Sequence, residues 1–486
     1  MKPAACRRYD RFLFAMCGLA GLLYGIDVGL ISAALPYIQA TTSFTEKEVS
    51  TIVAAVLLGA IPGSFVAAFV AEKWGRLTAF RLTAVFFAVA VPFICFSGGH
   101  FVPMFAGRIL QGVGCGIAAL AAPLYLTECA DPAWRGRGAG MIQIVTTGGL
   151  VLAALIGYAV TVSFGPAESA LISLGAKTAA WQTIFWFSFV PTVFLFAGTF
   201  RLRESPRWLF KVGRKADAER SLLANNTPGD ARFVMEEMER NAAAAREAAK
   251  AASATRETLL QRKYVLPFLL SFAVMSLTQV TGINSVNNYS VVILKKAGLA
   301  DSFSNLADVA IKFALFAFTF IALALVDRKG RKFLLSLGTA GVVAGLAIVG
   351  AVFWALERGL LACGPLSGWL VTAGFVVYIA FFSVGPGVCV WLANSELMPI
   401  RIRANGMMIN GFGNSATSWM IAQAFLPWSA AHGESSVFFA LAAGSFVFFL
   451  VAAFLLPETK GRSLEEIERY FTRKQGTVPA ACRSVP

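Results

Sequence analysis

Glu72-Lys-Trp-Gly-Arg76 and, 255 residues further on, Asp327-Arg-Lys-Gly-Arg331 each close an apolar run long enough to cross a bilayer. The pair is not isolated. Glu128 precedes Arg135 by seven residues, and Glu396 precedes Arg403 by the same interval, 268 residues later. Glu204-Ser-Pro-Arg207 is echoed by Pro457-Glu-Thr-Lys-Gly-Arg462, with Glu204 and Glu458 254 residues apart. Three matched pairs in the same order indicate a duplicated unit, arranged as a parallel repeat.

Around these marks lie twelve apolar stretches, at 11–35, 47–71, 78–97, 102–127, 138–160, 180–200, 264–293, 306–326, 333–356, 367–394, 404–429 and 436–456. Each is about 20 residues or longer, the length a helix needs to span the hydrocarbon core. The composition agrees: of 486 residues 57% are hydrophobic and 14% charged. A soluble domain carries about 25% charged residues, so lipid is the expected solvent. The expected fold is an all-α membrane protein of twelve transmembrane helices in two six-helix repeats. The organisation is a bundle over 1–200, a polar linker over 201–263, a second bundle over 264–456 and a tail over 457–486. The linker carries fourteen basic residues and the run Asn241-Ala-Ala-Ala-Ala-Arg-Glu-Ala-Ala-Lys250, strong helix-former chemistry that predicts helix rather than coil.

Orientation follows from lysine and arginine. With both termini cytoplasmic, the inner segments and the span ends bordering them hold 35 of the 42 basic residues. Lys47, Lys177, Lys295, Lys296 and Arg358 fall in outer loops, and Arg108 and Lys312 within spans. This positive-inside bias predicts an N-in, C-in protein of the cell inner membrane. It also accounts for the net charge of +15, together with attraction to anionic lipid, so the charge gives no reason to invoke nucleic acid. Lys2, Arg7, Arg8 and Arg11 before an apolar run imitate a signal peptide, but the run is long and holds Asp27, so it reads as the first span. Cysteines 6, 17, 95, 115, 129, 363, 389 and 482 are scattered without metal-ligand spacing. No cofactor is expected. Neither a hydrolase triad nor a phosphate-cradling loop is present, which disfavours an enzyme or an ATP-driven pump.

Six motifs resemble those of the sugar porter family of the major facilitator superfamily, which includes bacterial proton–sugar symporters and glucose facilitators. They are Gly107-Arg-Ile-Leu-Gln-Gly-Val-Gly-Cys-Gly116, Pro123-Leu-Tyr-Leu-Thr-Glu128 with Arg135, Glu204-Ser-Pro-Arg-Trp-Leu209, Gln279-Val-Thr-Gly-Ile-Asn284, Gly385-Pro-Gly387 with Trp391, and Pro457-Glu-Thr-Lys-Gly-Arg-Ser-Leu-Glu-Glu466. The likeness covers nearly the whole chain and implies transport of a sugar or polyol by alternating access.

The residues carry readings of their own. The charges Glu72, Arg76, Glu128, Arg135, Glu204, Arg207, Asp327, Arg331, Glu396, Arg403 and Glu458, of mixed sign at matched positions, suit a cytoplasmic gate of ion pairs between helices and between halves. Topogenic charge alone is the plainer alternative. Gly107, Gly112, Gly114 and Gly116 suit close helix packing. Gly385-Pro386-Gly387 breaks a helix inside the tenth span, as a gating segment would. Asp27, in mid-span, is expensive in lipid unless neutral or paired. The resemblance implies pairing with Arg108, and a pair whose separation changes can set proton affinity; a static ion pair is the alternative. For substrate, hydroxyl recognition asks for neutral donors and acceptors plus an aromatic face. The resemblance assigns Gln143, Gln279, Asn284, Trp391 and Asn414 to that role, with Tyr289 as an aromatic gate.

Departures from the family pattern bear on substrate. Thr278 stands where a glutamine is usual, Asn288, with Asn287 before it, where a tyrosine is usual, and Ser415 where a tryptophan is common; Thr278 and Asn288 are counted with the expected substrate ligands. Gln182 replaces an arginine and Arg203 a proline. A hexose, pentose, polyol or small glycoside all remain open, as do uniport and a non-transporting sensor. Sensors carry long signalling tails, whereas the sequence runs about 30 residues past the twelfth span. Lys312, four residues after Asp308, is expected to pair with it and snorkel to the outer interface. His100 and His432 fall in outer loops.

Overall fold

The computed structural model describes residues 4–130, 132–254, 261–399 and 402–460, with 466 and 471. Some side chains within that range, those of Arg135 and Asp327 among them, lie outside the described residues, as does most of the 457–486 tail. Among the described residues there is helix and no strand. The N-terminal bundle comprises α1 (Ala4–Thr41), α2 (Glu46–Lys73), α3 (Arg76–Cys95), α4 (Phe101–Cys129), α5 (Pro132–Phe164) and α6 (Leu174–Thr199). Three helices follow in the polar stretch: α7 (Pro206–Lys211), α8 (Lys215–Leu222) and α9 (Pro228–Ala254). The second bundle comprises α10 (Arg262–Val280), α11 (Ile283–Lys296), α12 (Asp301–Lys329), α13 (Arg331–Glu357), α14 (Pro365–Val384), α15 (Pro386–Leu397), α16 (Arg403–His432) and α17 (Glu434–Leu450), which ends in a π turn over Val451–Leu455.

Counting α10–α11 and α14–α15 as one broken span each, eleven spans among the described residues are long and apolar enough to cross a membrane. The twelfth is α16, 30 residues long, whose apolar character is diluted by Asn405, Asn410, Asn414 and Gln423. The protein is thus a twelve-span bundle. Its halves meet with α5 along α12, α2 along α16 and α1 against α11, the pairing that a twofold-related repeat produces.

Small residues set the packing inside each half. A Cβ at Gly59 or Gly116 would collide with the Ile109 or Ala60 carbonyl, so α2 and α4 touch backbone to backbone. The two broken spans have specific causes. Gly282 takes φ +79 between α10 and α11, and the carbonyls freed there are satisfied: Thr281 Oγ1 donates to the Thr278 carbonyl at 2.6 Å, and the Tyr378 hydroxyl to that of Thr281 at 3.1 Å. At Gly385 the α13 backbone approaches so closely that a Cβ would lie 2.6 Å from the Leu334 carbonyl oxygen, and Pro386 then starts α15.

The start of α1, the end of α2 and the linker helices share one face of the bundle. Cys6 Sγ lies 3.7 Å from the Asn226 carbonyl, and Trp208 Nε1 donates to the Glu72 carbonyl at 2.9 Å. This is called the linker face below.

Candidate functional site

Both helix breaks open onto one cavity of about 470 Å³ between the halves. From the first half α1 contributes Tyr24, Gly25 and Val28, α4 a run of alanines, and α5 Gln143, Thr146 and Thr147. From the second come Thr278, Gln279, Asn284, Asn287, Thr319, Trp391 and Asn414. The break at Gly282 matters here. It ends α10 just after Gln279 and starts α11 just before Asn284, so the two amides meet although they are five residues apart.

These amides form a chain. Asn284 Nδ2 donates to Ser418 Oγ at 2.7 Å and to Gln279 Oε1 at 2.9 Å, and Gln279 Nε2 donates to Asn414 Oδ1 at 2.9 Å. Each anchors the next, and among the described residues the Asn414 amide hydrogens and the Gln143 side-chain amide have no hydrogen-bond partner. Trp391 also lines the cavity and is 55% exposed. Thr278 lines the cavity and returns its hydroxyl to the Val274 carbonyl at 2.8 Å. Among the described residues this lining is neutral: amides, hydroxyls and an indole.

Two expected ligands lie elsewhere. Asn288 and Tyr289 are buried but do not line the cavity; Tyr289 stacks on Phe425 with centroids 5.0 Å apart and donates to the Ala422 carbonyl. Asn287 takes the wall position instead, with its Oδ1 buried and unbonded. Ser415 is also off the cavity wall. Of the other departures, Gln182 donates to the Cys95 carbonyl at 2.7 Å, and Arg203 to the Arg220 carbonyl at 2.6 Å; both are structural contacts away from the cavity.

Asp27 and Arg108 are both buried where α1 crosses α4, but they do not touch. Gln111 stands between them: its Nε2 donates to Asp27 Oδ1, and its Oε1 accepts from Arg108 Nη1 at 2.8 Å. Cys115 Sγ lies 3.5 Å from Asp27 Oδ2, and the guanidinium sits 5.8 Å from the centroid of Phe185. A direct ion pair is therefore replaced by an amide-bridged one. Gln111 escapes a reading of the sequence because its motif is dominated by packing glycines.

On the linker face the duplicated charges repeat residue for residue. Arg76 pairs with Glu128 at 2.9 Å and donates to the Ala71 carbonyl; Arg331 pairs with Glu396 at 3.2 Å and donates to that of Val326. Ser205 donates to Glu128, and Thr459 to Glu396. Glu204 accepts from the Leu77 amide at 3.0 Å, and Glu458 from those of Arg331 and Lys332 at 3.0 and 3.2 Å. Both glutamates thus cap a helix start, where the dipole favours negative charge. Burial pushes the Glu204 carboxyl above its ordinary range against the lowering effect of those amide bonds.

The remaining charges are more peripheral. Glu72 takes Lys211 and, at 3.4 Å, Arg76. Arg403 donates to the Met398 carbonyl at 3.3 and 3.2 Å, and Arg207 is exposed on α7. Among the described residues these linker-face ion pairs lie within one half or tie it to the linker. Among those pairs none joins the halves; the side chains of Arg135 and Asp327, two members of the expected gate, lie outside the described residues. Cross-half contacts appear instead toward the opposite face, where Gln423 donates to Thr51 at 2.8 Å and Lys295 pairs with Glu168 at 2.7 Å. Lys312 also requires correction. It does pair with Asp308, at 2.6 Å, but it is fully buried between the halves rather than snorkelling.

Twelve spans in two matched halves around a central cavity with uncharged lining define a membrane transporter of the major facilitator type. The sequence matches the family described as "Sugar (and other) transporter" over residues 13–471, and the chain belongs to that family. It is 31% identical over 476 residues to a probable metabolite transport protein of Bacillus subtilis, covering 97% of each chain. It is 29% identical to the galactose–proton symporter of Escherichia coli, covering 94% of this chain and 93% of that one. The fold is also that of the E. coli xylose transporter in an inward-open conformation, with a TM-score of 0.79 at 21% identity over 95% of this chain and all of the other.

Proposed function

We propose that the protein carries a small neutral polyhydroxylated solute, a sugar or polyol, in symport with protons by alternating access. The observation that carries this reading is the neutral amide chain with an open indole at the junction of the halves. Amides donate and accept at once, as hydroxyls do, and an indole packs against the C–H face of a sugar ring. A volume of about 470 Å³ lies within the roughly 300–1,000 Å³ of small-molecule sites. Gln143, Gln279, Asn284 and Asn414 are read as hydroxyl ligands, Trp391 as the stacking surface and Thr278 as a wall residue.

The proton is assigned to Asp27, whose amide-bridged neighbour Arg108 supplies a positive charge without locking the carboxylate into a salt bridge. Tyr24, one turn before Asp27 on α1, and Val28, the residue after it, line the cavity, so ligand there acts on the helix that carries the acid. The paired charges of the linker face, Arg76–Glu128 and Arg331–Glu396, are read as the ends of a gate. With the basic residues concentrated there, that face is assigned to the cytoplasm and both termini with it, in the cell inner membrane. The galactose–proton symporter among the relatives supports the same class of substrate and coupling. Uptake of radiolabelled sugars and polyols into proteoliposomes, with and without an inward pH gradient, tests it. Accumulation of at least one neutral polyol or sugar only with the gradient is expected. Uptake that merely equilibrates would leave a uniporter, and binding without uptake a sensor.

A further inference from the structure

Asp308 and Lys312 of α12, one turn apart, are 1% and 0% exposed, a charge pair that the coupling site does not use. A pair of this spacing is satisfied on its own helix, so the informative contacts are the others. Lys312 Nζ donates to Ser32 Oγ at 2.7 Å and approaches the Gly29 carbonyl at 3.4 Å, both on α1 in the other half of the molecule. Ser32 Oγ in turn lies 3.2 Å from Asp308 Oδ2. The second carboxylate oxygen accepts from Ser290 Oγ of α11 at 2.5 Å. All four side chains are buried, and their direct hydrogen bonds join α1, α11 and α12.

Its position is also particular. Val28 and Leu315 line the cavity, next to Gly29 on α1 and one turn from Lys312 on α12, so the cluster lies just behind the cavity wall. It lies on the side of the other cross-half contacts, opposite the linker face. Asn287, on the wall, accepts from Ser290 through its carbonyl at 3.3 Å. Ser290 therefore links the Asn287 backbone to Asp308.

We infer that the Asp308–Lys312 pair, with Ser32, is the latch that holds the halves shut on the face opposite the linker. The inference rests on the alternating-access reading above. Rocking the halves apart would break the bonds from Lys312 to Ser32 and Gly29. The bond to Asp308 would persist, because both residues ride on α12. The charge pair thus stays neutral in either state, and switching costs only the cross-half hydrogen bonds. A buried lysine without its aspartate would be stranded in one of the two states.

Ser50 serves as reporter: it is fully buried on α2 beside Tyr289 of α11, across the same interface. With Cys129, Cys363 and Cys482 replaced by serine, labelling of Ser50→Cys by a bulky thiol reagent reads opening of that face and needs no knowledge of the substrate. The double variant Asp308→Asn/Lys312→Met keeps volume and neutrality but removes the cross-half donor. It is expected to label at least tenfold faster than the parent. Ser32→Ala leaves the pair intact and should label about threefold faster, so it carries the test if the double variant fails to fold. Labelling at the parental rate in a folded double variant, or in Ser32→Ala where the double does not fold, would overturn the latch. Uptake measurements failing for every sugar would instead count against the proposed substrate, leaving the labelling result intact.

Discussion

Asp27→Asn is the most informative single change, because the structure separates its effect on coupling from its effect on folding. The carboxylate touches Gln111 and Cys115 but not Arg108, so no direct ion pair is lost. What changes is one hydrogen bond from Gln111, from a charged acceptor to a neutral one. Bonds to charged groups contribute about 1.5–3 kcal/mol and neutral ones about 0.5–1.5, so the expected loss is on the order of 1–1.5 kcal/mol. Arg108 keeps its bond to Gln111 and its place near Phe185, so the stranded-charge cost of a broken buried pair does not fully apply. For a chain of this size that loss should lower the melting midpoint by only a few degrees. Transport should respond differently. With one proton per solute, a one-unit pH gradient supports about tenfold accumulation, equivalent to about 1.4 kcal/mol. The amide that replaces the carboxyl mimics the protonated acid permanently, so accumulation should fall to unity. Counterflow exchange, which needs no net proton movement, should persist within about threefold. Tenfold accumulation in a folded Asp27→Asn protein would remove this residue from the mechanism.

Three further outcomes follow from the geometry. Gln143→Ala, Gln279→Ala and Asn284→Ala should each weaken binding by about 1–3 kcal/mol, roughly 5- to 150-fold in Kd by calorimetry or scintillation proximity; three unchanged affinities would move the site elsewhere. Thr278→Gln should reorder the substrate panel, because an added amide reaches into the cavity while filling part of it; uniform loss across all solutes would signify obstruction instead. Gly75→Ala and Gly330→Ala should each destabilise the protein by about 1–3 kcal/mol in thermal unfolding, since both sit at positive φ and a Cβ at either would collide with its capping glutamate, Glu204 or Glu458. Wild-type melting in both would show that the caps can move aside freely.

The fold is legible in the sequence because the bilayer makes a simple demand. Apolar length and the repeated acid–base marks are enough to count spans and to find the duplication, and only α16, diluted by amides, falls short of the hydropathy that marks the rest. The cavity is partly legible. Gln143, Gln279, Asn284 and Asn414 all reach it, but the positions taken from the resemblance, Asn288 and Tyr289, do not; α11 starts afresh after the break at Gly282, and Asn287 lines the cavity. Gln111 is hidden by its neighbours, glycines that explain the motif without it. Lys312 is misplaced by the sequence for a different reason. Distance along a span suggests depth in the membrane but not what lies across from it, and the partners that bury this lysine come from α1, some 280 residues away.

The two halves share their periphery and differ at their centres, and that difference suits a coupled carrier. Arg76, Glu128 and Glu204 have counterparts in Arg331, Glu396 and Glu458, so each bundle is fastened at the linker face in the same way and can move as a unit. At the centre the first half buries an acid, an amide and a guanidinium, while most of the neutral amides come from the second. A charge in the substrate cavity itself would be solvated by water whenever the cavity opened and would compete with a neutral ligand for hydrogen bonds. Set one helix face away, Asp27 escapes that competition yet shares α1 with Tyr24 and Val28, which line the cavity. On the proposed mechanism, ligand and proton would therefore act on the same helix. That helix also meets α12 at Ser32, the contact that the proposed latch would break.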